Sequence, residues 1–189
     1  MLEELIEKCR SYRSFDEKVP VTDTEIKRML ENARRTPSAV NLQPLRYRIC
    51  TGKEDCKKVL ALTKWAGKLS IKMPPDGHTP TAFIIMCVDK TVVPSAEKVG
   101  RDIGIAAEVI LLSAVEEGLG GCMIGAFDKA GVSEALSIDE RYEPALVIAL
   151  GKPDETIILE DAENGKTDYY RDGDNVHHVP KRKLGDIII

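Results

Sequence analysis

An α+β fold is predicted for this 189-residue chain by three features of its sequence. Two continuous apolar runs, Phe83–Val88 and Ala145–Leu150, have strand length and leave no polar side, as strands buried on both faces do. Between them, residues 97–117 repeat at helical spacing with apolar residues around most of the circumference, so this helix must be buried, centrally or at a subunit interface. Strands and long helices do not alternate strictly, which favours α+β over a doubly wound sheet. With 43% hydrophobic and 31% charged residues the chain is long enough for one sizeable core, and residues 1–189 are expected to form a single domain.

Taken in order, Leu2, Leu5, Ile6 and Cys9 recur at helical spacing and predict a short helix ending near Arg10. Thr22-Asp23-Thr24-Glu25 fits a capping box, and Ile26, Met29, Leu30 and Ala33 give the next helix one apolar stripe before Pro37 ends it. Residues 38–43 are a loop between Pro37 and Pro44; Tyr47–Cys50 reads as a strand and Lys53–Leu62 as a helix. From Lys64 to Pro80 the pattern dissolves into Lys, Pro and Gly around Trp65 and Ile71, which predicts a mobile segment. After Pro153, Thr156–Leu159 and Asp168–Arg171 are predicted as strands of a hairpin turning at Asn164-Gly165, and residues 172–175 turn the chain again. The apolar end, Ile187–Ile189, is expected to pack on a second subunit.

Charge and cysteine usage narrow the function. The 27 basic and 31 acidic residues leave a net charge of −4, which gives no reason to expect a nucleic acid or an anionic membrane as partner. Cys9, Cys50, Cys56, Cys87 and Cys122 are odd in number and widely spaced, as free thiols in a reducing compartment are. Acidic residues follow Met1 where a secretory leader would be basic, and the longest apolar stretch, Ile103–Val115, is broken by Glu108, so a cytoplasmic protein is expected.

Several motifs fail on inspection. Gly118-Leu119-Gly120-Gly121 follows a helix where a dinucleotide fingerprint needs a strand, and reads as a helix end and turn. Asp172-Gly173-Asp174 opens like a calcium loop but has His177 where glycine is required, and the adjacent His177 and His178 point to opposite faces of a strand. Cys122 has no evident base, so no metal site and no side-chain nucleophile is expected.

Two segments carry chemistry. Arg10-Ser11-Tyr12-Arg13 pairs cations that fork onto phosphate oxygens with a hydroxyl, and Pro37-Ser38-Ala39-Val40-Asn41-Leu42-Gln43-Pro44 is a polar loop able to satisfy an imide-like edge. Helix-dipole neutralisation by Lys8 and Arg10, and simple turn formation at 37–44, would account for each segment alone. In combination they resemble the two N-terminal flavin motifs of the nitroreductase family. The similarity continues through Asp102–Gly120, a central dimer-forming helix in that family, through Ile124-Gly125-Ala126-Phe127-Asp128, a loop facing the flavin, and into the basic tail Lys181-Arg182-Lys183.

The resemblance implies an α+β homodimer of domain-swapped type, with a mixed sheet flanked by helices and FMN at the subunit interface. It implies that Arg10, Ser11 and one of Lys181, Arg182 or Lys183 hold the phosphate and ribityl end. Arg13 would place a cation near the N1–O2 edge of the ring, where negative charge gathers on reduction. Pro37, Ser38, Ala39, Asn41 and Gln43 would approach the flavin of the partner chain, and Ile124 and Gly125 would face N5, the glycine by its bare backbone. Leu45 and Ile124 replace residue types common in the family, and the stretch between Leu62 and Phe83 is short, which leaves the substrate-facing wall open to variation. The implied reaction is ping-pong: NADH or NADPH reduces FMN, and a small electron-poor acceptor such as a nitroaromatic or quinone takes the electrons. Dehalogenation, ene-reduction or non-enzymatic redox sensing on the same fold are the alternatives.

Overall fold

The computed structural model describes residues 1–67, 69 and 71–189. Its central strand is β5 (Tyr142–Pro153), long enough to serve neighbours on both edges. On one side it pairs antiparallel with β3 (Ala82–Asp89), which pairs in turn with β2 (Leu45–Cys50). On the other side it pairs with β4 (Gly120–Ile124), and its C-terminal end also pairs with β1 (Phe15–Asp16). Beyond β4, Ser11 forms a parallel bridge with Gly121, so the sheet is mixed at that edge.

The apolar runs are continuous because helices cover both faces. Ala82, Ile84 and Met86 point towards α2 (Asp23–Ala33) and α4 (Gly100–Glu116), meeting Ile26, Met29 and Ile110. Phe83, Ile85 and Cys87 point the opposite way, towards α3 (Lys53–Ala61) and α5 (Lys129–Ala135), meeting Val59 and Val132. Pleated alternation thus divides one strand between two cores. The first helix, α1 (Leu2–Lys8), lies against α4.

The capping box at the head of α2 forms as predicted: Thr22 Oγ1 accepts from Glu25 N at 3.3 Å, and Thr22 N donates to Glu25 Oε2 at 2.7 Å. The helix predicted over 97–117 begins as a 3-10 turn, Ala96–Val99, before α4 proper. All five cysteines are free and buried. Trp65 is half-buried and donates to Thr63 Oγ1 at 2.8 Å. Lys68 and Ser70, part of the segment predicted to be mobile, lie outside the described residues. No helix among the described residues is long and apolar enough to cross a membrane.

Two expectations are corrected. Gly120 and Gly121 belong to β4 rather than to a turn, pairing with Gly151 and Leu150 of β5, and an added Cβ would crowd the Tyr12 ring at 2.6 Å from Gly120 and the Ala149 carbonyl oxygen from Gly121. Their lack of a side chain serves close packing. The predicted hairpin across Asn164-Gly165 does not form either. The second sheet has the order β6 (Ile157–Asp161), β8 (His177–Lys181), β7 (Tyr170–Arg171), with β6 parallel to β8 and β7 antiparallel to it. Both residues of the Asn164-Gly165 turn have positive φ, as such a turn requires, but the strand inserted between its arms is β8. The turn at 172–175 does form, Asp172 accepting from Asp174 N and Val176 N.

Candidate functional site

The N-terminal arginine segment leaves α1 at Cys9, crosses the start of β4 at Gly120 and Gly121, and passes on to the end of β5, where Asp154 N donates to Ser14 O at 3.0 Å. The Ser11–Gly121 bridge and a Tyr12 N to Gly121 O hydrogen bond of 3.0 Å pin it there. Arg10 Nη2 donates to Ile6 O at 2.6 Å, but Arg10 Nε is buried with no partner among the described residues. An unpaired buried donor costs about 1–3 kcal/mol, so this N–H is poised for an acceptor that the chain itself does not supply. Ser11 is exposed, and Arg13 is half-buried with Nη1 3.3 Å from Ser11 O. Burial pushes the Cys122 thiol up, with Arg13 and Ser11 pulling the other way, which places that thiol beneath the same segment.

Gly125 is exposed, and an added Cβ there would meet nothing within 4 Å. Its backbone faces open space, held from behind by Lys64 N donating to Ala126 O at 2.8 Å and by Asp128 N donating to Leu62 O at 2.9 Å. Ser11, flanked by Arg10 and Arg13, thus meets the edge strand β4 at Gly121, and the same strand leads on to Ile124 and Gly125. Two cations, a hydroxyl, an orphaned guanidinium N–H and an uncovered backbone suit a ligand with an anionic phosphate at one end and a flat ring at the other.

Pro37, Ser38, Ala39, Asn41 and Gln43 lie elsewhere, in the loop that enters β2. Three strand spacings, about 14 Å, separate β2 from β4 across the sheet. A groove of about 220 Å³ adjoins this loop, lined in part by Thr36, Pro37, Ser38, Gln43 and Arg46. Ser38 Oγ donates to the buried carboxylate of Asp102 and accepts from Gln43 N at 2.9 Å, while Ala39 N donates to Asp102 Oδ2 at 3.3 Å. The single proton of Ser38 is thus committed within the chain. Val40, Asn41 and Gln43 have φ of 52°, 54° and 49°, left-handed values that non-glycine residues adopt at a cost of about 1–3 kcal/mol each. Val40 stands 92% exposed at the tip of this strained loop.

The basic tail is not joined to Arg10 by any hydrogen bond or ion pair among the described residues. Lys181 ends β8, Arg182 is exposed, and Lys183 Nζ lies 4.0 Å from Asp161 Oδ2.

Sequence reasoning missed a cluster from the second sheet that sits on Arg13. Glu155, 3% exposed, pairs with Arg171, 8% exposed, and its other oxygen accepts from Arg13 N and from Ser14 N, the latter at 3.1 Å. The Tyr169 ring lies 5.2 Å beneath the Arg13 guanidinium carbon and 5.3 Å from the His177 ring. Burial, with Arg13 and Arg171 beside it, pushes His177 down to about 4. Arg171 Nε and His177 Nδ1 are also buried without a partner among the described residues. No local pattern announces these contacts, since Glu155 and Arg13 are 142 residues apart. Asp102 carried a weak cue, as a carboxylate opening an otherwise apolar helix.

Known proteins share this fold. The model of the nitroreductase family matches residues 6–78 and 95–152. An oxygen-insensitive NADPH nitroreductase of Helicobacter pylori is 28% identical over 183 residues, covering 79% of this chain and 86% of its own. A nitroreductase family protein of Streptococcus pneumoniae superposes with a TM-score of 0.71 at 19% identity, over 100% of this chain and 99% of its own. A protein of Exiguobacterium sibiricum solved in complex with FMN superposes with a TM-score of 0.68 at 21% identity, covering 82% of this chain and 89% of its own.

Proposed function

The chain belongs to the nitroreductase family of oxidoreductases, and on that footing we propose that it is an FMN-dependent reductase that takes electrons from NADH or NADPH and passes them to small electron-poor acceptors. The observation that carries this reading is the unpaired, buried Arg10 Nε–H, with Ser11 and Arg13 beside it where the segment crosses Gly121 of β4, the strand that leads to the open backbone at Gly125. Bound FMN supplies the chemistry, receiving hydride from the nicotinamide and giving electrons to the acceptor in alternate half-reactions. Arg10 binds the phosphate, its orphaned N–H finding an acceptor there, and Ser11 adds a hydroxyl donor. Arg13 holds a positive charge where the reduced ring is negative, and Gly125 leaves its amide unshielded towards the ring. Ile124, buried at the end of β4, keeps water from beneath the loop.

The Pro37–Gln43 loop belongs, in this reading, to the flavin of a second subunit. One ligand cannot lean on both groups of residues in one chain when the sheet places them at opposite edges. The exposed apolar side chains Val40, Leu42, Ile105 and Ile187–Ile189 suit such a homodimer. Each chain would contribute one FMN-binding domain spanning residues 1–189, with Lys181, Arg182 or Lys183 completing a phosphate site.

Adding FMN to the purified protein and following flavin absorbance tests the cofactor; a protein that stays colourless contradicts the proposal. Anaerobic mixing with NADH and with NADPH, followed by nitroaromatic or quinone acceptors, should bleach the flavin band and then restore it. Tight FMN binding without nicotinamide oxidation under any acceptor would favour a redox sensor instead.

A further inference from the structure

The family match ends at residue 152, yet the chain goes on to build a second sheet, and Glu155 just before it, Tyr169 before its strand β7 and Arg171 within that strand gather at Arg13. We propose that this sheet is a clamp for Arg13, with Tyr169 covering one face of its guanidinium and the Glu155–Arg171 pair fixing its backbone. The inference rests on the FMN reading, in which Arg13 faces the ring edge that becomes negative.

The attachment is specific. Asp154 N donates to Ser14 O at 3.0 Å, and Glu155 receives the backbone N–H groups of Arg13 and Ser14 while paired with the buried Arg171. A sheet that only covered apolar surface would not bury a carboxylate between one guanidinium and two backbone N–H groups of the arginine segment, because desolvated charges are tolerated only when each is held by a partner. Tyr169 offers the negative face of its ring to Arg13, the geometry of a cation–π contact, and planar guanidinium stacks there better than an ammonium would. Tyr169 touches no reacting atom in this arrangement; it is a positioning residue. An arginine already ordered loses little side-chain freedom when charge develops beside it, so the clamp should favour reduced over oxidised flavin.

The test compares the full-length wild type with Tyr169→Phe, Tyr169→Leu and Glu155→Gln. In the flavin-free protein the Arg13 Nε–H resonance should be displaced by the ring current of Tyr169, stay displaced in Tyr169→Phe, and return towards the value of a free arginine in Tyr169→Leu. With FMN bound, Tyr169→Leu should lower the preference for reduced over oxidised flavin roughly tenfold, read as a midpoint potential about 30 mV more negative, whereas Tyr169→Phe should match the wild type. Glu155→Gln, which leaves the ring in place, should shift the potential in the same direction. The clamp is overturned if the Arg13 resonance is the same in Tyr169→Leu and wild type, or if wild type and Tyr169→Leu bind FMN with equal potentials, or if Tyr169→Phe shifts as far as Tyr169→Leu. Failure of every protein to bind FMN, with the resonance moving as expected, would instead fault the cofactor reading and leave the clamp geometry standing.

Discussion

Arg10 and Ser38 illustrate how differently two polar residues in recognisable motifs are employed. Arg10 keeps a buried N–H without a partner, so Arg10→Ala should weaken FMN binding roughly ten- to a hundredfold, the worth of a charge-assisted hydrogen bond, with little loss of stability. Fluorescence titration of the flavin-free protein measures it, and an unchanged dissociation constant would exclude Arg10 from the phosphate site. Ser38 has no free proton, because its hydroxyl bridges Asp102 and Gln43 N. Ser38→Ala should therefore cost about 1–3 kcal/mol of stability by leaving the Asp102 carboxylate short of a donor. A melting temperature equal to that of the wild type, with FMN affinity lowered, would show that Ser38 acts on the ligand directly. The sequence made Arg10, Ser11, Arg13 and the 37–44 loop legible because cations, hydroxyls and prolines sit at short fixed spacings. Glu155, Tyr169 and Arg171 were not legible, because what makes them important is a meeting with Arg13 that the tertiary fold alone arranges.

Element boundaries were readable wherever a pattern was local and strong, and misleading where burial decided the outcome. The strand Ala82–Asp89 shows itself as an unbroken apolar run since helices cover both faces, and the α2 cap shows itself through Thr22 and Glu25. The Asn164-Gly165 turn was equally plain, yet its flanking strands part to admit β8, which buries His177 between them. That strand makes a pH prediction. His178, stacked on Tyr170 at 4.7 Å, is raised above 6.5 by Asp172 and then Glu160, so its contribution is present below pH 6.5 and is lost as pH rises through the raised value. His177 behaves oppositely. Its ring is held neutral down to about 4, so the unfolded chain takes up a proton first as pH falls below 6.5, costing on the order of 3 kcal/mol by pH 4. Amide exchange across residues 157–181 should show greatest protection near pH 6.5, and His178→Gln should abolish the alkaline decline while leaving the acidic one. Protection that does not fall as pH rises above 6.5 in the wild type would remove His178 from this account.

At the scale of the whole molecule, the main sheet sets about 14 Å between the two segments expected to hold flavin. The arginine segment borders β4, the strained loop enters β2, and β5 and β3 lie between them. If each FMN is held by the arginine segment of one subunit and the loop of the other, two defects of different kind should complement. A chain carrying Arg10→Ala and Arg13→Ala retains a sound loop; a chain carrying Asn41→Pro, with its loop disrupted, retains a sound arginine segment. Each alone should form a dimer of twice 20.9 kDa with both sites impaired. Co-expressed with different tags and purified through both, they should give mixed dimers with one intact FMN site each. That site pairs the sound arginine segment of the second chain with the sound loop of the first. Flavin content near one per mixed dimer, against almost none in either parent, is the expected result. Mixed dimers as empty as the parents would mean that loop and arginines of the same chain serve the same flavin, which the opposite-edge geometry argues against.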